Sequence, residues 1–184
     1  MTLRLDRLRH LASRFLGSVR ARPLSAADAA WVRSVLTAED LEVWERLGPA
    51  DRTESVAVGL EAQRLIAAFH PGASAWIAAA LLHDVGKVET GLGSVRRSLA
   101  TVVAGVVGHE RARAWHTGVG WRGRVGRYVA HDDLGGALLT AAGAQPEAAY
   151  WAEVHHRPER WDAVTIPDEI CRALAQADGE RTRD

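Results

Sequence analysis

The sequence has one cysteine, one lysine and no formal net charge. It has one cysteine, Cys171, among 184 residues, which excludes an intrachain disulfide and a cysteine-rich zinc site. A reducing compartment is therefore expected, and we predict a cytoplasmic protein. The 23 basic and 23 acidic residues cancel, which excludes a protein held on nucleic acid mainly by counterion release. No stable nucleic-acid binding is expected.

Long apolar runs and strand signals are also missing. The longest apolar run, 75–82, is far shorter than the ~20 residues that cross a membrane as a helix, so no membrane span is expected. The chain has only two Phe and two Tyr, and apolar and polar residues do not alternate as they do in a half-buried strand. Because 47% of the residues are hydrophobic, the chain can still build a core.

Helix signals occur throughout the chain. Ser25 and Thr37 each precede an acidic residue by three positions, which is typical of N-caps, and Pro49 suits a first helical turn. The spacing of apolar residues predicts an all-α fold. We expect amphipathic helices over 1–36 and the main domain over 37–184. The predicted helices of the main domain include 49–69, 73–83, 95–107, 122–130, 132–142, 146–156 and 167–178.

The first 22 residues carry six arginines and one acidic residue around a stripe of leucines. Such a segment either lies on anionic lipid or a partner, or docks its apolar stripe on the main domain. The second interpretation is the simpler one, because amphipathic helices are common in soluble proteins.

Residues capable of chemistry follow the apolar run 75–82. His83 and Asp84 come first, and Gly86 and the only lysine of the chain, Lys87, come next. Charged side chains are rarely buried unless they are paired or bind a metal. An imidazole nitrogen and a carboxylate at the end of a buried helix therefore predict a cation site. The point charge of Lys87 suits a phosphate group.

Further candidate ligands fall at the ends of other predicted helices. His131 begins one such helix, the pair His155 and His156 ends the next, and Asp178 closes the last. Several histidines with carboxylates suit Fe, Mn, Co or Zn better than Ca. Helical bundles build metal sites from the side chains of different helices, as this spacing requires.

The segment His83–Asp84–Val85–Gly86–Lys87 resembles the signature of the HD-domain superfamily. Members of this superfamily are all-helical, metal-dependent phosphohydrolases. The segment that starts at His131, the pair His155–His156 and Asp178 resemble the later elements of the family in the same order. The resemblance covers about 41–178. It implies an HD-domain helical bundle with an N-terminal helical extension. It favours ligand roles for these residues over solvated helix-end side chains.

One element of the family pattern is missing. The resemblance implies an upstream histidine near 51–56, where the sequence has Glu54 instead. Glu54 lies on the inward stripe of its predicted helix, so it either ligates a metal or pairs with Arg52 or Arg46. Without Glu54, the implied first metal position has His83, Asp84 and Asp178. The implied second position has Asp84, His131, His155 and His156.

The resemblance implies one or two divalent ions (Mn, Fe, Zn, Co or Mg) bridged by Asp84. It also implies hydrolysis of a small phosphoester or nucleotide, with Asp84 and Lys87 as the catalytic residues. Two alternatives stay open, a di-iron oxygenase and a degenerate HD domain with a binding or regulatory role. Arg157 and Arg160 flank the paired histidines, and solvation is the simpler expectation for both, with phosphate binding as the alternative.

Overall fold

A computed structural model describes residues 23–70, 72–162 and 164–179. These ranges hold ten α-helices and two short 3-10 helices and contain no strand, so the all-α prediction is confirmed for the described residues. The 3-10 helices are η1 (Val85–Thr90) and η2 (Pro158–Arg160). The α-helices are α1 (Ala26–Val35), α2 (Ala38–Trp44), α3 (Pro49–Ile66), α4 (Ser74–Leu82), α5 (Ser94–Val107), α6 (His109–Arg113), α7 (Gly120–Val129), α8 (His131–Ala142), α9 (Pro146–Val154) and α10 (Asp168–Ala177).

The first helices begin where their sequence signals predict. Ser25 and Thr37 cap α1 and α2, and each forms a capping box with the aspartate three residues later. One of these aspartates, Asp40, is buried and also accepts hydrogen bonds from the backbone and side chain of Gln145 at 3.1 and 2.6 Å. This capping residue therefore ties α2 to the start of α9.

Helix α4 is the centre of the main core. It is apolar throughout, its residues 78–82 are buried, and α1, α2, α3, α9 and α10 all pack against it. A helix that is apolar on every side is stable in water only when neighbours surround it. This arrangement explains why the polar residues that follow α4 are also buried.

Helices α5, α6 and α7 form a separate layer with a small core of their own. We call residues 94–130, which contain these three helices, the basic lobe. The buried residues of its core are Ala100, Ala104, Ala112 and Val125, together with Leu92 from the segment before α5. The sequence did not predict α6, because its five residues, His-Glu-Arg-Ala-Arg, contain one buried apolar position.

The N-terminal part of the chain is described only from residue 23 onward. The predicted amphipathic helix in residues 1–22 therefore lies outside the described residues. The next helix, α1, packs against α4 in the main core. Within the described ranges, no helix is long and apolar enough to cross a membrane.

Candidate metal centre

Helix α4 ends in two buried polar side chains. His83 caps the helix, and Asp84 follows with φ −104° and ψ 8°, a sparsely populated region of backbone conformation in which many active-site residues lie. His83 Nε2 lies 3.3 Å from Asp84 Oδ2. Burial of a carboxylate at the end of an apolar helix is costly unless a proton donor or cation is nearby.

A glycine brings Asp84 to the next helix. A Cβ on Gly86 would lie 1.8 Å from the backbone oxygen of His131 and 2.6 Å from the backbone nitrogen of Gly135. Only glycine therefore allows η1 to lie this close to the first turns of α8. The contact brings Asp84 Oδ1 within 3.1 Å of His131 Nε2.

Three histidines from two helix ends meet beside Asp84. His131 is the first residue of α8, and His155 and His156 follow the last turn of α9. One potential ligand atom from each lies within 4.8 Å of the other two. The ring centroids of His131 and His155 are 5.7 Å apart, and those of His155 and His156 are 3.9 Å apart. This cluster can hold a metal ion.

The buried imidazoles are held in the same way. In each, Nδ1 lies 2.8–2.9 Å from the carbonyl oxygen of the residue three positions earlier. A carbonyl oxygen only accepts hydrogen bonds, so Nδ1 carries the proton and, in the neutral ring, Nε2 carries a lone pair. Metal-binding histidines are oriented by this kind of hydrogen bond. The three residues are His83, His131 and His155.

The Nε2 atoms of these three histidines are buried and have no hydrogen-bond partner in the described structure. Those of His83 and His131 nevertheless lie 3.3 and 3.1 Å from carboxylate oxygens of Asp84. A lone pair facing a carboxylate is repulsive unless a positive charge lies close to both. The donor set therefore fits a bound cation, either a proton or a metal ion.

The charges around the imidazoles act in opposite directions on His155 and His83. Burial and the neighbouring His156 and His83 lower the pKa of His155 well below its usual range, which keeps the ring neutral. Burial raises the pKa of Asp84, but the positive charges of Lys87 and His83 lower it by more. The pKa of Asp84 is therefore well below its usual value. Burial lowers the pKa of His83, yet Asp84 and Asp178 raise it well above normal. The two carboxylates thus attract a cation to this point.

Lys87 lies mostly buried against Asp84 and is not a solvated charge. Its ammonium group forms an ion pair with Asp84 Oδ2, and its side chain is 12% exposed. Burial lowers the pKa of Lys87, but Asp84, Glu54 and Tyr128 raise it above its usual value, so the lysine is protonated. Glu54 on α3 therefore lies on the side of the site where Lys87 is found. Arg46, one of the two arginines suggested as its partner, pairs with Glu89 at 2.7 Å.

The last predicted ligand reaches the site from the end of α10. Asp178 Oδ1 lies 3.3 Å from His83 Nε2, and its side chain is only 9% exposed. Asp178 is therefore not a solvated acid at the end of the chain. One cluster is formed by His83, Asp84, Lys87, His131, His155, His156 and Asp178, and Glu54 lies near Lys87.

A network of charges behind the cluster was not predicted. Arg113 at the end of α6 lies 2.8 Å from Asp132 Oδ1, and Arg157 lies 3.2 Å from Asp132 Oδ2. Both arginines also pair with Asp133. The expectation that Arg157 is solvated is wrong, because the acids next to His131 bind it. Asp132 and Asp133 directly follow His131 in the sequence, which could have indicated an ion pair near the site. Arg113 is distant in sequence, so no sequence signal indicated its role.

Tyr128 of α7 forms a wall of the site. Its ring stacks on that of His131, with centroids 5.9 Å apart and planes 20° apart. Its hydroxyl accepts a hydrogen bond of 3.3 Å from Thr101 of α5. The basic lobe thus contacts the cluster through this tyrosine and through Arg113.

The remaining histidines and the cysteine lie apart from the cluster. His70, His109 and His116 are exposed, and His10 lies outside the described residues. Burial raises the pKa of Cys171 to about 12. Such a thiol is not a nucleophile at neutral pH.

Comparisons of this chain with known proteins found no match. No family model, no curated protein and no solved structure matches it.

Proposed function

We propose that this protein is a metal-dependent phosphohydrolase of the HD type. The observation that carries the proposal is the set of three buried Nε2 atoms that have no hydrogen-bond partner and lie around Asp84, one of the most buried carboxylates of the chain. The resemblance of His83–Lys87 to the His-Asp-x-Gly-Lys signature suggests the family. The contacts that Asp84 makes with His83 and His131 support this assignment. The cytoplasmic location remains an expectation from the sequence.

The cluster would supply ligands for one or two metal ions. His83, Asp84 and Asp178, with Glu54 as a further oxygen ligand, would hold one ion. Asp84, His131, His155 and His156 would hold the other. Imidazole and carboxylate ligands suit Mn, Fe, Zn or Co, and Mg is accepted by the carboxylates. When bound, such ions lower the pKa of water toward about 7 and polarise phosphoryl oxygens.

The chain itself contributes positioning and charge. The Nδ1–H hydrogen bonds to backbone carbonyls fix the imidazole rings before substrate arrives. Lys87 holds a positive charge beside Asp84, where it stabilises the charge that develops on a phosphoryl group. A small phosphoester or nucleotide is the substrate class that this arrangement accepts.

A specific observation also favours a second function, that of a di-iron oxygenase. Four imidazoles and two carboxylates meet in the cluster, and such a set also suits a di-iron oxygenase. Iron content with oxygen consumption on small polyols or phosphonates would identify that activity. A degenerate binding domain would instead show neither bound metal nor turnover.

The test is elemental analysis of the purified protein together with hydrolysis of a panel of phosphomonoesters and nucleotides. Wild-type protein should hold one or two equivalents of a transition metal, and Asp84→Asn should lose both metal and activity. His116→Ala removes an exposed histidine outside the cluster and should change neither. Full metal content and activity in Asp84→Asn would refute the proposal.

A further inference from the structure

The basic lobe carries a helix whose large apolar side chains point away from the core. On α5, Val95, Leu99, Val102 and Val106 are 64%, 53%, 56% and 81% exposed. The side of the same helix that faces the lobe core contributes the buried Ala100 and Ala104 and the partly buried Val103 and Val107. An amphipathic helix in a globular protein normally exposes a polar face opposite its core face, whereas α5 exposes a second apolar one.

The four exposed residues form one continuous stripe. Their positions differ by four, three and four residues, so at about 100° per residue they fall within an arc of about 60°. They protrude on the side of the helix opposite Ala100 and Ala104. Contiguous exposed apolar stripes of this kind mark surfaces that meet a partner or a membrane.

The lobe that carries this stripe is strongly positive. Residues 94–130 contain seven arginines and a single acid, Glu110, a formal charge of +6 in a chain whose total is zero. Arg97 and Arg113 pair with aspartates outside the lobe. Four others are exposed, namely Arg96, Arg111, Arg122 and Arg124.

The charge decides between the possible occupants. A second copy of the lobe presents the same four exposed arginines, and residues 1–22 carry six arginines against one acid, so both would be repelled. Nucleic acid would use the arginines through its phosphates, but it offers no apolar phase for an aliphatic stripe. An aliphatic stripe on a lobe with exposed arginines is the chemistry that binds an anionic bilayer.

We propose that the α5 face of the basic lobe docks on the surface of an anionic lipid bilayer. The stripe enters the boundary between headgroups and acyl chains, and the exposed arginines contact lipid phosphates and carboxylates. The docking is independent of the proposed metal chemistry, since none of its residues belongs to the cluster around Asp84.

The test is co-sedimentation of the full chain with vesicles. Phosphatidylcholine vesicles are compared with vesicles that also contain about 30 mol% phosphatidylserine, at salt concentrations from roughly 50 to 500 mM. Binding should require the anionic lipid and should weaken as salt rises. Absence of binding to the anionic vesicles at low salt would overturn the proposal.

Two substitutions test whether the docking uses the α5 stripe and the exposed arginines of the basic lobe. Val106→Glu should lower the partition coefficient by about tenfold, and Arg111→Gln by about fivefold, the effect of about one arginine near an anionic surface. Val164→Glu, at a valine that is 93% exposed and lies outside the lobe, is the matched control and should leave binding unchanged. Melting temperatures and circular dichroism show that each variant is folded.

The remaining outcomes count against the proposal. Vesicle binding that survives Val106→Glu in a folded protein would assign the contact to another part of the chain, such as residues 1–22. A dimer in size-exclusion chromatography that Val106→Glu dissociates would assign the stripe to a second copy. Either result overturns docking of α5 on lipid.

Discussion

The two hydrophobic cores of this protein are built from different side chains. The main core around α4 contains large buried residues such as Trp151, Ile66, Leu81 and Leu82. The buried residues of the lobe core are one leucine, one valine and three alanines, and its larger side chains, such as Val103, Val107 and Trp115, are only partly buried. Since buried apolar area sets most of the favourable free energy of folding, the lobe gains much less from its own packing.

Contacts with the main body offset part of that difference. Arg97 pairs with Asp51, Arg113 pairs with Asp132, and the Tyr128 ring stacks on His131. The cluster around Asp84 lies on the part of the molecule with the larger core, which holds its side chains in fixed geometry. The lobe is the part expected to open first, because regions with few buried apolar contacts have low local stability.

The largest effect on the main body is expected from Gly86→Ala. The added Cβ would collide with backbone atoms of His131 and Gly135, which no side-chain rotation can relieve. We expect a loss of more than about 3 kcal/mol in the free energy of unfolding, together with loss of bound metal. Urea unfolding and elemental analysis measure both. Normal stability and metal content would show that η1 and α8 do not pack this closely in solution.

Leucine truncations compare the two cores directly. Leu81→Ala in the main core should lower the free energy of unfolding by about 3 kcal/mol, and Leu92→Ala in the lobe by about 2 kcal/mol or less. Hydrogen exchange separates global from local effects. Leu92→Ala should speed exchange in α5–α7 and leave α4 protected, and uniform loss of protection would show that the two cores unfold together.

Next in size is the effect of Asp132→Asn, which weakens the link between the cores. The substitution removes a buried charge that pairs with Arg113 and Arg157, so we expect a loss of about 2 kcal/mol and weaker metal binding at the adjacent His131. The control is Glu153→Gln, whose pair with Arg160 is well exposed and should contribute less than about 0.5 kcal/mol. Equal effects of the two variants would mean that the Asp132 pairs are not buried in solution.

Much of the fold could be predicted from local signals. The caps at Ser25 and Thr37 and the proline at 49 act within one helical turn, so helix starts were located closely. Helix α6 was missed because a five-residue helix with one buried position has no detectable period. The exposed apolar stripe of α5 could not be predicted either, since periodicity shows an apolar face but does not show whether the core covers it.

The candidate site was predictable in its residues but not in its surroundings. The motif order indicated His83, Asp84 and Asp178, and the structure brings them together. The burial of Lys87 against Asp84 and the role of Arg113 depend on tertiary contacts that spacing does not reveal. Gly86 is an intermediate case, because its place in the motif was visible while its collision partner on α8 was not.

The smallest expected effect is a gain in stability, from Gly105→Ala in α5. Whereas a Cβ on Gly86 would meet backbone, a Cβ on Gly105 would have no described atom within 4 Å, so an alanine here adds helix propensity without a clash. We expect the free energy of unfolding to rise by about 0.5 to 1 kcal/mol in urea titrations. A loss of stability would instead show that a neighbour packs on this side of α5 in solution, and the lobe would then be better covered than its small core implies.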